Sequence, residues 1–523
     1  MTSDFLLSIR KLDRLASGAA PRLIELCSGC GGLTLGLKTA GFQLAAHVEA
    51  DAQASETYAL NFGPDDPNVL RQWSRARNMV SQSMADLVSD FGLNAEPREA
   101  YDVLAAGLPC QAFARIGRSK LRSVSGDSDA YKNDPRASLY QRFLEIVAET
   151  RPLAILLENV PDIMNFGGHN VPEEIADGLE AQGYSVRYTL LNAAYYGVPQ
   201  LRERLILVAL DRTLCTNPVF PLPTHFVQLP RGYENTRAVA MQHVNLRGSH
   251  FEPIPVAIGV LPYAIDVESA LADLPLIDEH LTDSGNLRKR KAQDRLPYRS
   301  EFTCSEYAKL MREWIGFSTT ADVSGNIIRI TPRDFPIFGQ MPNGADYPIA
   351  LTIARRLLEE KIRRSAAPPS YATPAYTAVE KATVPPYDDG KFPNKWWKLD
   401  RKLLSRTLTA HLGKDTYTHI HYDGGQQRMI SVREAARLQS FPDGFEFSGA
   451  MNPSFRQVGN AVPPLLALAV GKALMGTLRQ AVSNSALGRI SEAMPYESAQ
   501  HDAAINVRDA GFHESRLATL SGY

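Results

Sequence analysis

Three features of the 523-residue sequence predict an α/β fold built on a Rossmann-like sheet. Apolar strand signals alternate with helix-patterned segments from residue 22 to about 210. A glycine-rich loop, Cys27-Ser-Gly-Cys-Gly-Gly32, separates the first strand from the first helix, and an acid, Glu49, closes the second strand. Beyond about residue 215 this rhythm is lost, which predicts a second, smaller, irregular α+β domain.

The opening strand is 22–26, Arg-Leu-Ile-Glu-Leu; residues 33–40 then carry helical spacing, and Gly41 ends that helix. A second strand, 43–48, runs into Glu49 and Asp51, completing a βαβ opening. Further strands are expected at 101–106, 153–157, 185–191 and 205–209, with helices at 139–148 and 173–181, an alternation that predicts a parallel sheet. After residue 215 prolines thicken (Pro218, Pro221, Pro223, Pro230). This region holds a basic run from Arg288 to Arg299 and a helix-like stretch at 353–364. The Pro-rich residues 365–395 read as an extended connector, 465–479 as a final helix, and the polar tail beyond about 483 as disordered or loosely packed. The expected division is a helical extension at 1–20, a first domain at 21–215, a second at 216–447, a segment at 448–482 that completes the first, and a tail at 483–523.

Lys plus Arg (56) and Asp plus Glu (57) nearly cancel to a net charge of −1, so a nucleic-acid face, if present, must be local. Five cysteines form an odd, sparse set that fits a reducing cytoplasm better than a disulfide scaffold. The N-terminus lacks the apolar stretch of a signal peptide, and with no window of 18 uninterrupted apolar residues no membrane span is expected.

Gly29, Gly31 and Gly32 let backbone approach a ligand at a helix N-terminus, and Glu49, 20 residues after Gly29, is placed to accept ribose hydroxyls. The pair implies a nucleoside-containing cofactor. Thr34 fills the last slot of the dinucleotide pattern, which disfavours NAD. Cys27 and Cys30 form a Cys-x-x-Cys without a second ligand pair, and His411, His419 and His421 read as ordinary surface histidines, so no metal is expected. Cys110, after Pro109 at the end of the 101–106 strand, stands where an α/β sheet presents a nucleophile; an inert buried thiol is the alternative. Lowering its pKa would require cationic neighbours, for which Arg115 and Arg118 are placed in sequence.

Pro109-Cys110-Gln111 following this loop resembles a DNA (cytosine-5) methyltransferase. The family's other blocks follow in order: Glu158-Asn159-Val160, Gln200-Leu-Arg-Glu-Arg204, the run from Arg433 to Gly444, and Gln457-Val-Gly-Asn-Ala-Val-Pro463. Together they span residues 22–475. The resemblance implies an S-adenosylmethionine-dependent methyltransferase fold, with Cys110 adding to C6 of a flipped cytosine. Glu158 would be proton donor and amine acceptor with a raised pKa, Arg204 would hold O2, and Arg202 would place charge beside the nucleophile or the phosphate backbone. A plain Glu158–Arg204 ion pair is the structural alternative. The resemblance further implies S-adenosyl-L-methionine (product S-adenosyl-L-homocysteine) bound at Cys27, Gly29, Gly31, Gly32 and Glu49. Asp86, in a strand-end position, would lie near the adenine amine; a surface helix cap is its alternative. Leu87, Pro109, Asn460 and Val462 complete the implied cofactor set.

The sequence departs from the family pattern twice: Cys27 stands where a loop Phe is usual, and Ala114 replaces a Ser. The polar segment 114–136 is expected to cover the extruded base. Gln111, Arg115, Arg118, Arg288, Lys289 and Arg290 are the expected DNA contacts, with residues 406–411 leading from the DNA-reading domain into the late blocks. The implied partner is double-stranded DNA, met by a monomer in the cytoplasm and at the nucleoid, in a host-defence setting with a cognate nuclease or other defence components. A tRNA (cytosine-5) methyltransferase of the same fold and a catalytically silent nucleic-acid-binding regulator are the alternatives; the large middle insertion favours DNA, and intact Cys110, Glu158 and Arg204 favour an enzyme.

Overall fold

The computed structural model describes residues 3–493 apart from Asn94, 110–138, Gly167, Arg247, 258–259, Ser284, 286–288, Arg290 and 292–293, with side chains to residue 484. Six strands are β1 (Arg22–Leu26), β2 (Gln43–Val48), β3 (Val103–Gly107), β4 (Ala154–Asn159), β5 (Tyr184–Asn192) and β6 (Glu203–Asp211), in the spatial order β2-β1-β3-β4-β6-β5. The pairs β1/β2, β1/β3 and β3/β4 are parallel, whereas β6 runs antiparallel to both β4 and β5. The expectation of a parallel sheet is thus corrected at one strand. Only residues 193–202 join β5 to β6, and a parallel crossover needs a dozen or more residues, so the chain reverses and β6 inserts beside its predecessor.

The sheet is buried on both faces, and the period-2 alternation of its strands divides two cores. Leu23, Val103, Ala105, Leu156 and Val208 face one side with Leu33, Leu35 and Leu37 of the helix α2 (Gly32–Thr39). Ile24, Leu104, Ala106, Leu157 and Leu207 face the other with Phe143, Ile146, Ile175 and Leu179 from helices Leu139–Thr150 and Val171–Ala181. The first core also takes in Phe441, Phe455, Val462, Leu466 and Val470, so the end of the chain packs on the sheet where the chain begins. A stretch there, Met451–Asn484, is long and apolar enough to cross a membrane, but 72% of its most apolar window is buried inside the protein.

The helix Ser3–Ala16 (α1) lies along the N-terminal edge of the strands: Lys11 Nζ donates to the carbonyls of Thr150 (3.2 Å) and Arg151 (2.8 Å), and Ser8 Oγ to Asp211 (3.0 Å). Among its described residues the middle region has several short helices, an 18-residue helix (Tyr347–Arg364) that contains the expected 353–364 stretch, an antiparallel pair of two-residue strands (Leu296–Pro297 with Asp322–Val323), and a core of its own around Phe338, Tyr347, Trp396 and Tyr417. Within the segment expected to be an extended connector, Pro374–Lys381 is a helix. Thr373 caps it and Pro374 occupies its first turn, where proline is compatible with helix. The last helix, Pro464–Ala493, also runs past the expected start of the tail; residues 494–523 lie outside the described ones.

Docking of the last helix depends on small residues. A Cβ on Gly36 of α2 would lie 2.4 Å from Ala467 Cβ and from Leu468 N. Gly36→Val should therefore destabilise the protein by about 3 kcal/mol, the upper end of overpacking costs, read as a lower denaturant midpoint; an unchanged midpoint would contradict this packing.

Candidate active site

The C-terminal ends of β1, β3 and β4 lie side by side, where an open α/β sheet offers a crevice. Cys27 (φ 51°) and Gly29 (φ 55°) turn the backbone out of β1, and Gly31 (φ 95°) caps α2. A Cβ on Gly31 would come within 2.3 Å of the Phe62 ring, and one on Gly32 within 2.3 Å of the Val462 carbonyl oxygen. The loop is thus packed between the ring of Phe62 and the returning C-terminal segment. Glu49 accepts hydrogen bonds from the N–H groups of Gly29 and Asp51, both at 2.7 Å, locking the loop to the end of β2. Burial raises its pKa, and two N–H groups leave about half of a carboxylate's acceptor sites free.

Glu158 stands at the end of β4, in register with Gly107 of β3. Its Oε1 lies 2.8 Å from Arg204 Nε, and both side chains are about 10% exposed. Burial raises the Glu158 pKa while Arg204 and Arg202 pull it down, and the balance remains upward. Arg204 also donates from Nη1 to the Glu203 carbonyl at 2.6 Å. Asn159 Nδ2 donates to the Leu108 carbonyl at 3.2 Å, fixing the chain as it leaves β3 toward half-buried Pro109. Cys110, Gln111, Arg115, Arg118 and the segment 114–136 lie outside the described residues.

Arg202 departs from expectation. It is 1% exposed, and its guanidinium donates to the carbonyls of Leu408 (2.5 Å), Gly459 (3.1 Å) and Ala461 (3.0 Å). A side chain so enclosed is sealed from DNA phosphates, which corrects the phosphate-backbone part of that expectation; its charge still acts on Glu158. Asp86 is not at a strand end. It is exposed in the first turn of the helix Met84–Asp90, bonded to Ser83, while Leu87 is buried among the second core. Val462 is buried against the loop, whereas Asn460 ends its helix exposed. Lys289 is exposed; Arg288 and Arg290 lie outside the described residues. Cys30 is buried, and burial pushes both the Cys27 and Cys30 thiols upward in pKa, away from thiolate chemistry. His419 and His421, expected on the surface, are buried: His419 faces the Arg406 carbonyl (3.2 Å) and His421 faces Glu434 (3.3 Å).

Two features escape a sequence reading. Gln200, quoted only as part of a motif, donates to Leu438 O (3.1 Å) and Gln439 Oε1 (2.6 Å) and accepts from Leu408 N (2.8 Å). Gln439 in turn donates to Ala461 O at 2.6 Å. Glu25, fully buried under the loop, is hydrogen-bonded by Thr34, whose hydroxyl also meets Tyr58 Oη at 2.6 Å. Its position at the end of β1 was visible in the sequence, but its solvation was not.

Burial, with Glu49 and Glu158 adding to it, pushes Glu25 from 4.5 to about 8. Between those values the folded state binds more protons than the unfolded chain, so stability falls as pH rises. The wild type should lose a few kcal/mol of stability between pH of about 5 and 8 that Glu25→Gln does not lose, measured by denaturant titration across that range; parallel pH profiles would contradict a protonated Glu25.

The family described as C-5 cytosine-specific DNA methylase matches residues 21–476. A protein of Oceanobacillus iheyensis named as a type II methyltransferase, M.OihORF3336P, is 36% identical over 456 residues, covering 87% of this chain and 95% of its own. The type II methyltransferase M.AgeI of Thalassovita gelatinovora is 29% identical, over 88% of this chain and all of its own. Among solved structures, a DNA modification methyltransferase encoded within an E. coli prophage superposes with a TM-score of 0.53 at 20% identity, covering 88% of this chain and all of that one. The last likeness establishes the fold.

Proposed function

We propose, from the premise that this chain belongs to the C-5 cytosine-specific DNA methylase family and is a DNA (cytosine-5) methyltransferase, that methyl transfer proceeds through a covalent bond between Cys110 Sγ and C6 of an extruded cytosine. The observation that carries this reading is the buried Glu158–Arg204 pair beside the end of β3.

Cytosine C5 is a weak nucleophile. Addition of the Cys110 thiolate to C6 forms an S–C bond and moves electron density onto C5, with negative charge developing toward N3. Glu158, its pKa raised by burial, holds a proton to deliver to N3, and its other oxygen accepts from the exocyclic amine. Arg204 keeps donors for O2 beyond those spent on Glu158 and Glu203. Arg202 acts as a positioning residue, holding the returning segment whose Val462 carbonyl abuts Gly32.

The residues at the loop fit S-adenosylmethionine. Gly29 leaves open space where a side chain would stand, Gly31 and Gly32 let the loop turn tightly against Phe62 and Val462, Glu49 retains acceptor capacity for ribose hydroxyls, and Cys27, Pro109 and Val462 border the same strand ends. The bound cofactor supplies an electrophilic methyl group on a positively charged sulfur, and the carboxylates of Glu49 and Glu158 favour that charge whenever they are ionised. After transfer, a general base takes the C5 proton, the C5–H electron pair re-forms the C5–C6 double bond, the S–C6 pair leaves on sulfur to free Cys110 as a thiolate, and the N3 proton returns to Glu158.

Double-stranded DNA is the proposed substrate, bound by a monomer in the cytoplasm or at the nucleoid. Relatives named as type II methyltransferases support a setting in which a cognate nuclease or other host-defence components act with it.

Cys110→Ala should lower methyl transfer to duplex DNA by at least about 10³-fold while cofactor binding, read by calorimetry, is kept; near-normal turnover would exclude the sulfur as nucleophile. Glu158→Gln should lower turnover by about 10² to 10⁴-fold and remove the alkaline decline that deprotonation of a general acid produces. Equal losses of turnover and DNA affinity would instead indicate an ion pair of structural value only.

A further inference from the structure

The strip formed by residues 405–408 is laced to the segment that leads into Arg202 and Arg204. Leu201 N donates to Ser405 O (2.9 Å), Ser405 N to Pro199 O (3.1 Å), Thr407 Oγ1 to Leu201 O (2.6 Å) and Leu408 N to Gln200 Oε1 (2.8 Å). Arg406 projects from the middle of this strip. Its guanidinium carbon lies 3.4 Å from the centre of the Trp397 ring, and both residues are half-buried. Among the described residues it has no ion pair and no hydrogen bond from its guanidinium; Asp346 acts on it only at a distance. The buried Arg428, Arg433 and Arg437 of the neighbouring segment are each bonded to carboxylates or carbonyls.

The platform under Arg406 is rigid. Trp396 points inward, fully buried and stacked on Tyr417, so the next residue, Trp397, faces the opposite side. Trp397 N donates to Tyr417 O, and Trp397 O accepts from Ile420 N, both at 2.9 Å. The Arg406 carbonyl is met by Ser405 Oγ (2.9 Å) and by buried His419 Nε2 (3.2 Å). A guanidinium resting on an indole keeps its donors in its own plane and loses little further freedom on binding. An unspent, pre-oriented fork of donors matches an acceptor pair.

We propose that Arg406, carried on Trp397, reads the O6 and N7 edge of a guanine close to the extruded cytosine. The inference rests on the DNA methyltransferase activity and adds a specificity-determining residue to it. Leu201, to which the strip is bonded, precedes Arg204 by three residues, at most about 10 Å of chain, or about three base-pair steps. Two parallel donors to guanine form the commonest specific arginine contact in the major groove.

The test is bisulfite sequencing of a duplex library with randomised positions around cytosine, methylated by the full-length wild type, Arg406→Ala, Arg406→Lys and Trp397→Phe. The wild-type motif should contain a guanine whose preference falls on the order of 10- to 100-fold in Arg406→Ala, with other positions unchanged. Arg406→Lys, which keeps charge but lacks the fork, should relax the same position even if the alanine variant proves unstable. Trp397→Phe, which keeps an aromatic face, should retain most of the discrimination. An unaltered motif in both arginine variants overturns the proposal, whether the rate holds or falls uniformly; a uniform fall with a salt slope reduced by about one would reassign Arg406 to a phosphate. Methylation of any cytosine by the wild type tests the activity, whereas the change of motif tests Arg406.

Discussion

A single buried guanidinium ties together the parts that build this site. Arg202 stands at the entry to β6 and donates to carbonyls at 408, 459 and 461, which come from the exit of the middle region and from the returning C-terminal segment. Backbone carbonyls inside a protein must find donors, and a planar fork serves several at once. Gln200 and Gln439 extend the same network, so Val462 is pressed against Gly32 at the start of α2. The glycine-rich loop is therefore shaped partly by residues more than four hundred positions away in the chain.

Around this scaffold charge is distributed asymmetrically. Glu25, Glu49 and Glu158 gather at the ends of β1, β2 and β4, all with pKa values raised chiefly by burial. Arg204 contacts only the third. Carboxyl groups that retain protons can donate hydrogen bonds as well as accept them, which low-polarity surroundings promote. The mixed sheet contributes directly. Because β6 runs antiparallel to β4, its first residues arrive at the C-terminal edge of β4, and this reversal brings Arg204 to Glu158.

Much of this was legible in the residues. The glycines at 31 and 32 mark a close approach because any side chain there would collide, and strand alternation located all six strands within a few residues. The reversal at β6 was hidden in the shortness of one connection, which strand patterning does not weigh. Arg202 and Arg204 look alike in sequence, yet one is spent on carbonyls and the other on a carboxylate; sequence records donors but not what surrounds them. Asp86 takes the helix-cap alternative and not the strand-end position, because Ser83 and the residues after it favour a capped helix. His419, read as a surface residue, is buried behind Arg406.

The proposed mechanism requires a transient bond between the sulfur of Cys110 and C6 of a cytosine met by Glu158 and Arg204. A duplex containing the enzyme's target cytosine as 5-fluorocytosine tests this most directly, because fluorine at C5 blocks proton loss and holds the adduct. After incubation with the full-length enzyme and S-adenosylmethionine, peptide mapping by mass spectrometry should find the nucleotide attached at Cys110. Attachment to any other side chain, or no covalent product from enzyme that methylates the unfluorinated duplex, would contradict it.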